Sequence, residues 1–229
     1  MGHTPGMSDA ASSTWVGWHA CYDDPDSDLA RRLSVVQLRV RRAVESVRPG
    51  PIQLISVCAG QGRDVIGTLT GHPRAGDVRA SLVELDGHNV EVARAGAAAA
   101  GLEGVTVVRG DASVTSVYRD AVPADVLLLC GIFGNISSDD VRTTVAAASS
   151  LCAPGAIVIW TRHRRPPDQT RSIRSLFSEA GFDEVAFDSP GQDRFAVGTH
   201  RLVTDPLPFE HDLTMFTFLE SPWTPHRGG

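Results

Sequence analysis

LISVCAGQGRD, residues 54–64, runs from an apolar stretch into two glycines one residue apart, then into an Arg-Asp pair. Leu54 to Val57 reads as a buried strand. Gly60 and Gly62 let the backbone turn tightly and come close to a ligand, because a residue without Cβ adopts positive φ freely. The full dinucleotide fingerprint, G-x-G-x-x-G, needs a third glycine for close helix–strand packing. Val65 stands in that place. No Gly-Lys-Ser/Thr follows, so the Walker pattern fails as well. The loop alone leaves three readings open: a nucleotide phosphate, another adenosine-bearing cofactor, or a plain structural turn.

Outward from this loop the chain alternates. Apolar strands are expected at 53–59, 79–85, 105–109, 124–130 and 155–161, with helical stretches at about 62–70, 87–100, 113–121, 138–152 and 168–180. NVEVARAGAAAA, residues 89–100, is a strong helix former, and Gly101 stops it. Such alternation predicts βαβ units and an α/β, doubly wound, mostly parallel sheet covered on both faces. After Gly181 the alternation is lost. VAFDS, RFAVGTHRL and LTMFTFL follow without a long helix, so the sheet should finish with antiparallel pairing. Whether FAVGTHRL or LTMFTFL supplies the last strand stays open. Upstream, residues 26–47 carry Leu29, Leu33, Val36, Val40 and Val44 at helical spacing, with acidic residues at the start where the helix dipole favours them. Residues 1–14 are expected to be disordered, 15–48 to form an N-terminal helical segment or lid, and 50–229 to form one α/β domain.

Composition narrows the partners. A net charge of −6 and no basic run longer than TRHRR, residues 161–165, argue against nucleic acid. No stretch is apolar enough to span a membrane, and the first dozen residues carry no secretory signal, so a cytoplasmic home is expected. Cys21, Cys58, Cys130 and Cys152 show no C-x-x-C spacing; they read as buried thiols, with no disulfide framework and no metal site. A small molecule or a protein is the expected partner.

The next strand ends in LVELD, which puts Glu84 22 residues past Gly62. The ribose-binding acid of a dinucleotide site stands about 20 residues past its glycines. The third strand ends in Arg109-Gly110-Asp111-Ala112. Open α/β sheets bind ligands at the carboxyl ends of their strands, beside the point where strand order reverses. Three successive strand tips thus each offer a glycine or a carboxylate to one crevice.

VCAGQGRD, VELDGHNVEVA and VVRGDA, in this order, resemble the successive motifs of class I S-adenosylmethionine-dependent methyltransferases. The resemblance spans roughly residues 50–200 and implies a seven-stranded sheet of order 3-2-1-4-5-7-6. It also implies a cofactor, S-adenosylmethionine, leaving S-adenosylhomocysteine as product. Carried over by motif position, Ala59, Gly60 and Gly62 pass beneath the methionine part. Glu84 with Leu85 meets the ribose, and Asp111 with Ala112 meets the adenine. Asp86 competes for the ribose; Glu84 is preferred because Ala93 stands at the family's usual distance behind that acid. The missing third glycine suits a cofactor without a pyrophosphate. Asp64 either meets the cofactor's ammonium or serves only the helix N-terminus.

Cys130 and Gly131 at the fourth strand tip are further cofactor candidates, and Phe133 and Asn135 substrate candidates. No DPPY-like signature is present. Ser137 or Ser138 with Asp139 and Asp140 reads as a helix start. His163 follows the fifth strand and is the leading candidate base, since neutral imidazole suits the task near pH 7; otherwise it is an exposed residue of a basic loop. Arg162, Arg164 and Arg165 hold a substrate carboxylate or phosphate, or form a solvated turn before Pro166. In the N-terminal WVGWHACY, Trp18 and Tyr22 are substrate candidates and His19 a second base, with core packing or a dimer contact as the alternative. His200 reads as structural.

The reading expected is methyl transfer to oxygen or nitrogen of a small molecule, with no nucleic-acid or membrane partner and with a homodimer allowed. A cofactor-binding protein without turnover is its first rival. An NAD(P)-dependent oxidoreductase is a weaker one.

Overall fold

The computed structural model describes Asp24 and residues 27–189 and 194–219. The expectations for residues 1–14, and for Trp18, His19 and Tyr22, lie outside the described residues.

Seven strands form one sheet: β1 Ile52–Val57, β2 Val78–Glu84, β3 Val105–Arg109, β4 Ala124–Leu129, β5 Cys152–His163, β6 Phe182–Asp188 and β7 Phe195–Leu202. Their order is β3-β2-β1-β4-β5-β7-β6. The first five are parallel, and β7 runs antiparallel to both β5 and β6. This is the order that the resemblance implied. The reversal between β1 and β4 creates the crevice at the strands' carboxyl ends.

Alternation along each strand builds two cores. Ile55, Val57, Leu127, Leu129, Val158 and Trp160 face helices α4 (Ser138–Leu151) and α5 (Thr170–Glu179). Leu54, Val126, Leu128, Ile157 and Ile159 face α1 (Asp28–Ser46), α2 (Arg63–Leu69) and α3 (Gly87–Ala99). Trp160 is fully buried, stacked on Phe177, and its indole N–H donates to His200 Nδ1 at 3.2 Å. Trp160→Ala would cost about 3–5 kcal/mol, the usual range for a buried aromatic. His200 therefore belongs to the core.

Helix α1 packs through Val36, Val40, Ala43 and Val44 and is capped at its start by Ser27, which accepts from Ala30 N. At its other end one guanidinium replaces a cap. Arg74 donates to the carbonyls of Val44, Val47, Arg48 and Gly50. Arg39 grips Asp188 of β6 with two bonds of 2.6 Å, tying α1 to the antiparallel end of the sheet.

Two expectations need correction, and one open choice is resolved. The helix expected at 113–121 is only a 3-10 turn, Thr115–Tyr118. Its backbone is claimed by the returning C-terminal segment: Met215 N donates to Ser113 O, Thr115 N to Leu213 O, and the Thr115 hydroxyl to Glu210 O. That segment, LTMFTFL, is not a sheet strand. It makes isolated bridges at Val114–Thr214 and Ile136–Phe218 and buries Met215 and Phe216 in the gap a crossover helix would fill. VAFDS and FAVGTHRL supply the last two strands instead. Finally, β5 extends beyond 155–161 to His163, because β7 pairs with it as far as Arg162–Ala196 and His163–Phe195.

Candidate functional site

The loop after β1 is built on three left-handed residues, Cys58, Gly60 and Gly62, with φ of 54°, 56° and 67°. Two roles divide between the glycines. A Cβ at Gly62 would stand 2.7 Å from Leu82 Cδ2 and 2.9 Å from Ile66 Cδ1, so this position lets α2 pack on β2. A Cβ at Gly60 would meet nothing within 4 Å, and the same holds at Gly131, where φ is 78°. Gly60 and Gly131 thus face open space on either side of the reversal point.

Glu84 closes the loop from the neighbouring strand. Its Oε2 accepts from Gly60 N and its Oε1 from Asp86 N, both at 2.8 Å. Each oxygen keeps a second acceptor direction. Asp86 has other work: it caps α3 by accepting from Asn89 N at 2.8 Å. Gly110 N donates to the Glu84 carbonyl, which brings the β3 tip alongside. There Asp111 accepts from both the amide and the hydroxyl of Ser113 through Oδ1 and leaves Oδ2 free. Leu85 is 65% exposed beside Glu84, an apolar shelf at the crevice edge. Ala112 is buried, and its carbonyl accepts from Tyr118. Ala59 N is paired to Val83 O.

Sequence reasoning missed Cys58 as part of this group. A left-handed non-glycine is uncommon and costs about 1–2 kcal/mol. The turn sends its thiol to the α4/α5 face, whereas Leu54 on the same strand packs on the other. Burial, with the charges of Glu84 and then Asp111 nearby, pushes the thiol up to about 12. Nothing in the residue type signals this; only its place at the head of the turn could have.

On the β1–β4 side, Asp64 lies in the first turn of α2 and accepts from Val65 N at 2.8 Å. Burial pushes its carboxyl up to about 6. Burial also raises the Cys130 thiol, and the charge of Asp64 adds to that effect. Asp64 and Cys130 are therefore brought together. The Gly131 amide donates to the Thr161 hydroxyl at 2.8 Å, and the Asn135 side chain donates to Gly131 O.

The substrate candidates fare differently. Phe133 is fully buried against Trp160 and Phe177, so its ring is core and only its carbonyl serves the site. That carbonyl accepts from Arg162 Nη1 at 2.6 Å. The same Nη1 lies 3.1 Å from His163 Nε2. A guanidinium can only donate, so in that contact His163 Nε2 is the acceptor, while a hydrogen bond to the Gly134 backbone acts the other way and favours the protonated ring. Burial, then Arg162 and Arg165, keeps His163 below its usual range and therefore neutral at pH 7. With its acceptor lone pair occupied, His163 is poorly placed as a base. Asn135 is exposed, and its carbonyl accepts from Leu219 N at 2.9 Å, which sets the C-terminal segment against this loop.

No family model matches the chain, and no curated protein does. Solved structures match its fold. Magnesium protoporphyrin IX methyltransferase from Synechocystis PCC 6803, determined with bound SAH, aligns with a TM-score of 0.65 at 11% identity over 83% of this chain and 94% of that one. CurJ carbon methyltransferase gives 0.61 at 14% identity, covering 81% and 58%. An O-methyltransferase family protein from Burkholderia thailandensis gives 0.57 at 18% identity, covering 76% and 57%. This chain spans little more than half the length of the last two. At these identities the likeness is one of fold, and the fold is that of class I methyltransferases. Among the described residues no helix is long and apolar enough to cross a membrane.

Proposed function

We propose that this chain, which carries the class I methyltransferase fold, binds S-adenosylmethionine and transfers its methyl group to oxygen or nitrogen of a small molecule. The observation that carries the reading is Glu84, whose carboxylate joins the glycine loop to the second strand tip and keeps acceptor capacity on both oxygens. That pair of acceptors matches the two hydroxyls of a ribose diol. Asp111 Oδ2 matches an adenine amino group, with Leu85 and Ala112 beside it. The open space over Gly60 and Gly131 accommodates the amino-acid portion, with Asp64 and Cys130 at its end. A ligand with an ammonium and a sulfonium suits this row of carboxylates.

When bound, S-adenosylmethionine supplies an electrophilic methyl group. The chain's part is to hold a nucleophile in line with it, and orientation alone accounts for much of such a barrier reduction. Asn135 and Arg162, at the tips of the fourth and fifth strands, are the residues assigned to the acceptor in this reading. An acceptor atom that is already unprotonated needs no base, in keeping with the engaged His163. The test is transfer of radiolabelled methyl from S-adenosylmethionine to a panel of small hydroxyl and amine compounds. Labelled product that vanishes with Glu84→Ala supports the reading. No product in protein that binds S-adenosylhomocysteine favours the second reading, a cofactor-binding sensor or partner subunit, to which the engaged His163 also lends weight.

A further inference from the structure

Arg162, at the tip of β5, is only 7% exposed, yet no carboxylate among the described residues lies within salt-bridge distance of it. Asp168, whose charge reaches it, is bonded to Arg164 and Thr170 instead. One end of the guanidinium is accounted for: Nη1 is held by Phe133 O and His163 Nε2. The other edge is not. Nε is buried without a partner, and Nη2 makes no hydrogen bond among the described residues. Nε–H and Nη2–H point the same way within the guanidinium plane, the side-on fork that matches the two oxygens of a carboxylate. His163 Nδ1 is also buried and unpartnered.

Buried donors are nearly always satisfied, and a buried charge more so. Arg162 Nε and His163 Nδ1 are thus two buried nitrogens left unmet at one strand tip of the active edge. Arg165 beside them is exposed and has no ion-pair partner among the described residues, so it adds positive charge in a chain whose net charge is −6. Nη1 fixes the plane of the guanidinium, which leaves the fork preorganised. We propose that the acceptor is an anion whose carboxylate or phosphate group is gripped side-on by the Nε/Nη2 edge of Arg162. This rests on reading the crevice as a methyl-transfer site, and it narrows the substrate class to acids or phosphate esters.

The experiment is a titration of the full chain, with and without S-adenosylhomocysteine, followed by the arginine Nε–H resonances in 1H–15N spectra. Benzoate, phenyl phosphate and the neutral isostere benzamide serve as probes. The expected result is a saturable shift of the Arg162 resonance with at least one anion and none with benzamide. The tighter of the two anions identifies the group. In Arg162→Lys, checked for folding by its circular dichroism and melting curve, anion affinity should fall at least tenfold, since an ammonium keeps the charge but loses the fork. No saturable shift with either anion in the wild-type chain overturns the proposal without recourse to a variant. Undiminished affinity in a folded Arg162→Lys chain also overturns it, because the anion would then be held by Arg165. If S-adenosylhomocysteine does not bind, the methyl-transfer reading fails, while the titration of the unliganded chain still decides the fate of the Arg162 fork.

Discussion

The two halves of the crevice are opposite in kind. Around the tips of β1, β2 and β3 the spare capacity is that of acceptors: both oxygens of Glu84 and Oδ2 of Asp111. Around the tips of β4 and β5 the spare capacity is that of donors: Arg162 Nε and His163 Nδ1. The first half suits a cationic, hydroxyl-rich ligand, and the second suits an anion. They also differ in construction. The first is a run of backbone turns locked by adjacent strand tips. The second hangs on long-range contacts, from β5 through Arg162 and from the C-terminal segment through Leu219. The lesson is that a site of this fold separates what is fixed by local turns from what is assembled across the chain.

Changes on the acceptor-rich side should break that contrast most strongly. Glu84→Ala would remove the two charge-assisted bonds proposed to the ribose and free the Gly60 amide. Affinity for S-adenosylhomocysteine should drop about 100-fold or more, at roughly 1.5–3 kcal/mol per charged bond, measured by calorimetric titration. The two glycines should separate by stability. Gly62→Ala adds a Cβ into Leu82 and Ile66 at a left-handed φ and should destabilise the fold by about 2–3 kcal/mol. Gly60→Ala meets open space and should cost about 1–2 kcal/mol from its φ alone. Urea unfolding reads both, and equal losses would refute this division of roles.

Protonation gives a smaller effect. Asp64 is raised to about 6 in the folded chain, so the folded state holds this proton more tightly than the unfolded chain between about pH 4 and 6. Its charge therefore penalises folding above pH 6, and the penalty fades as pH falls toward 4. An ammonium placed beside Asp64 favours the carboxylate. Affinity for S-adenosylhomocysteine should then be full above about pH 7 and fall up to about tenfold per pH unit below 6. Asp64→Asn should bind more weakly at pH 7 and lose this slope; a slope that persists would remove Asp64 from the site. Smallest of all, Phe218→Ala touches a half-exposed ring at the other end of the crevice. It should change that affinity by no more than about twofold, a surface-level effect.

The acceptor-rich half was legible in the sequence because its parts are local. Gly60, Gly62 and Glu84 sit where a strand stops, and strands of Val, Leu and Ile announce their own ends. The order of the sheet came from resemblance, and the reversal at β7 from the loss of helical stretches after Gly181. The donor-rich half was less legible. Phe133 looked like a site residue because it follows a strand tip, but an aromatic there can equally turn inward, and Trp160 and Phe177 take it. His163 looked like a base until its neighbour was placed: no periodicity reveals that Arg162 occupies its lone pair. The missing crossover helix has the same cause. VTSVY is a weak helix former, with three β-branched residues in five, and the return of residues 210–215 across it claims the amide of Thr115 and the carbonyl of Ser113.

The most direct measurement is calorimetric titration of the wild-type chain with S-adenosylhomocysteine beside NADH at pH 7.5. The account predicts micromolar-range binding of the first, one per chain, and none of the second. Well-folded protein that ignores S-adenosylhomocysteine, or that binds NADH in its place, would contradict the assignment of the acceptor-rich half and with it the methyl-transfer reading.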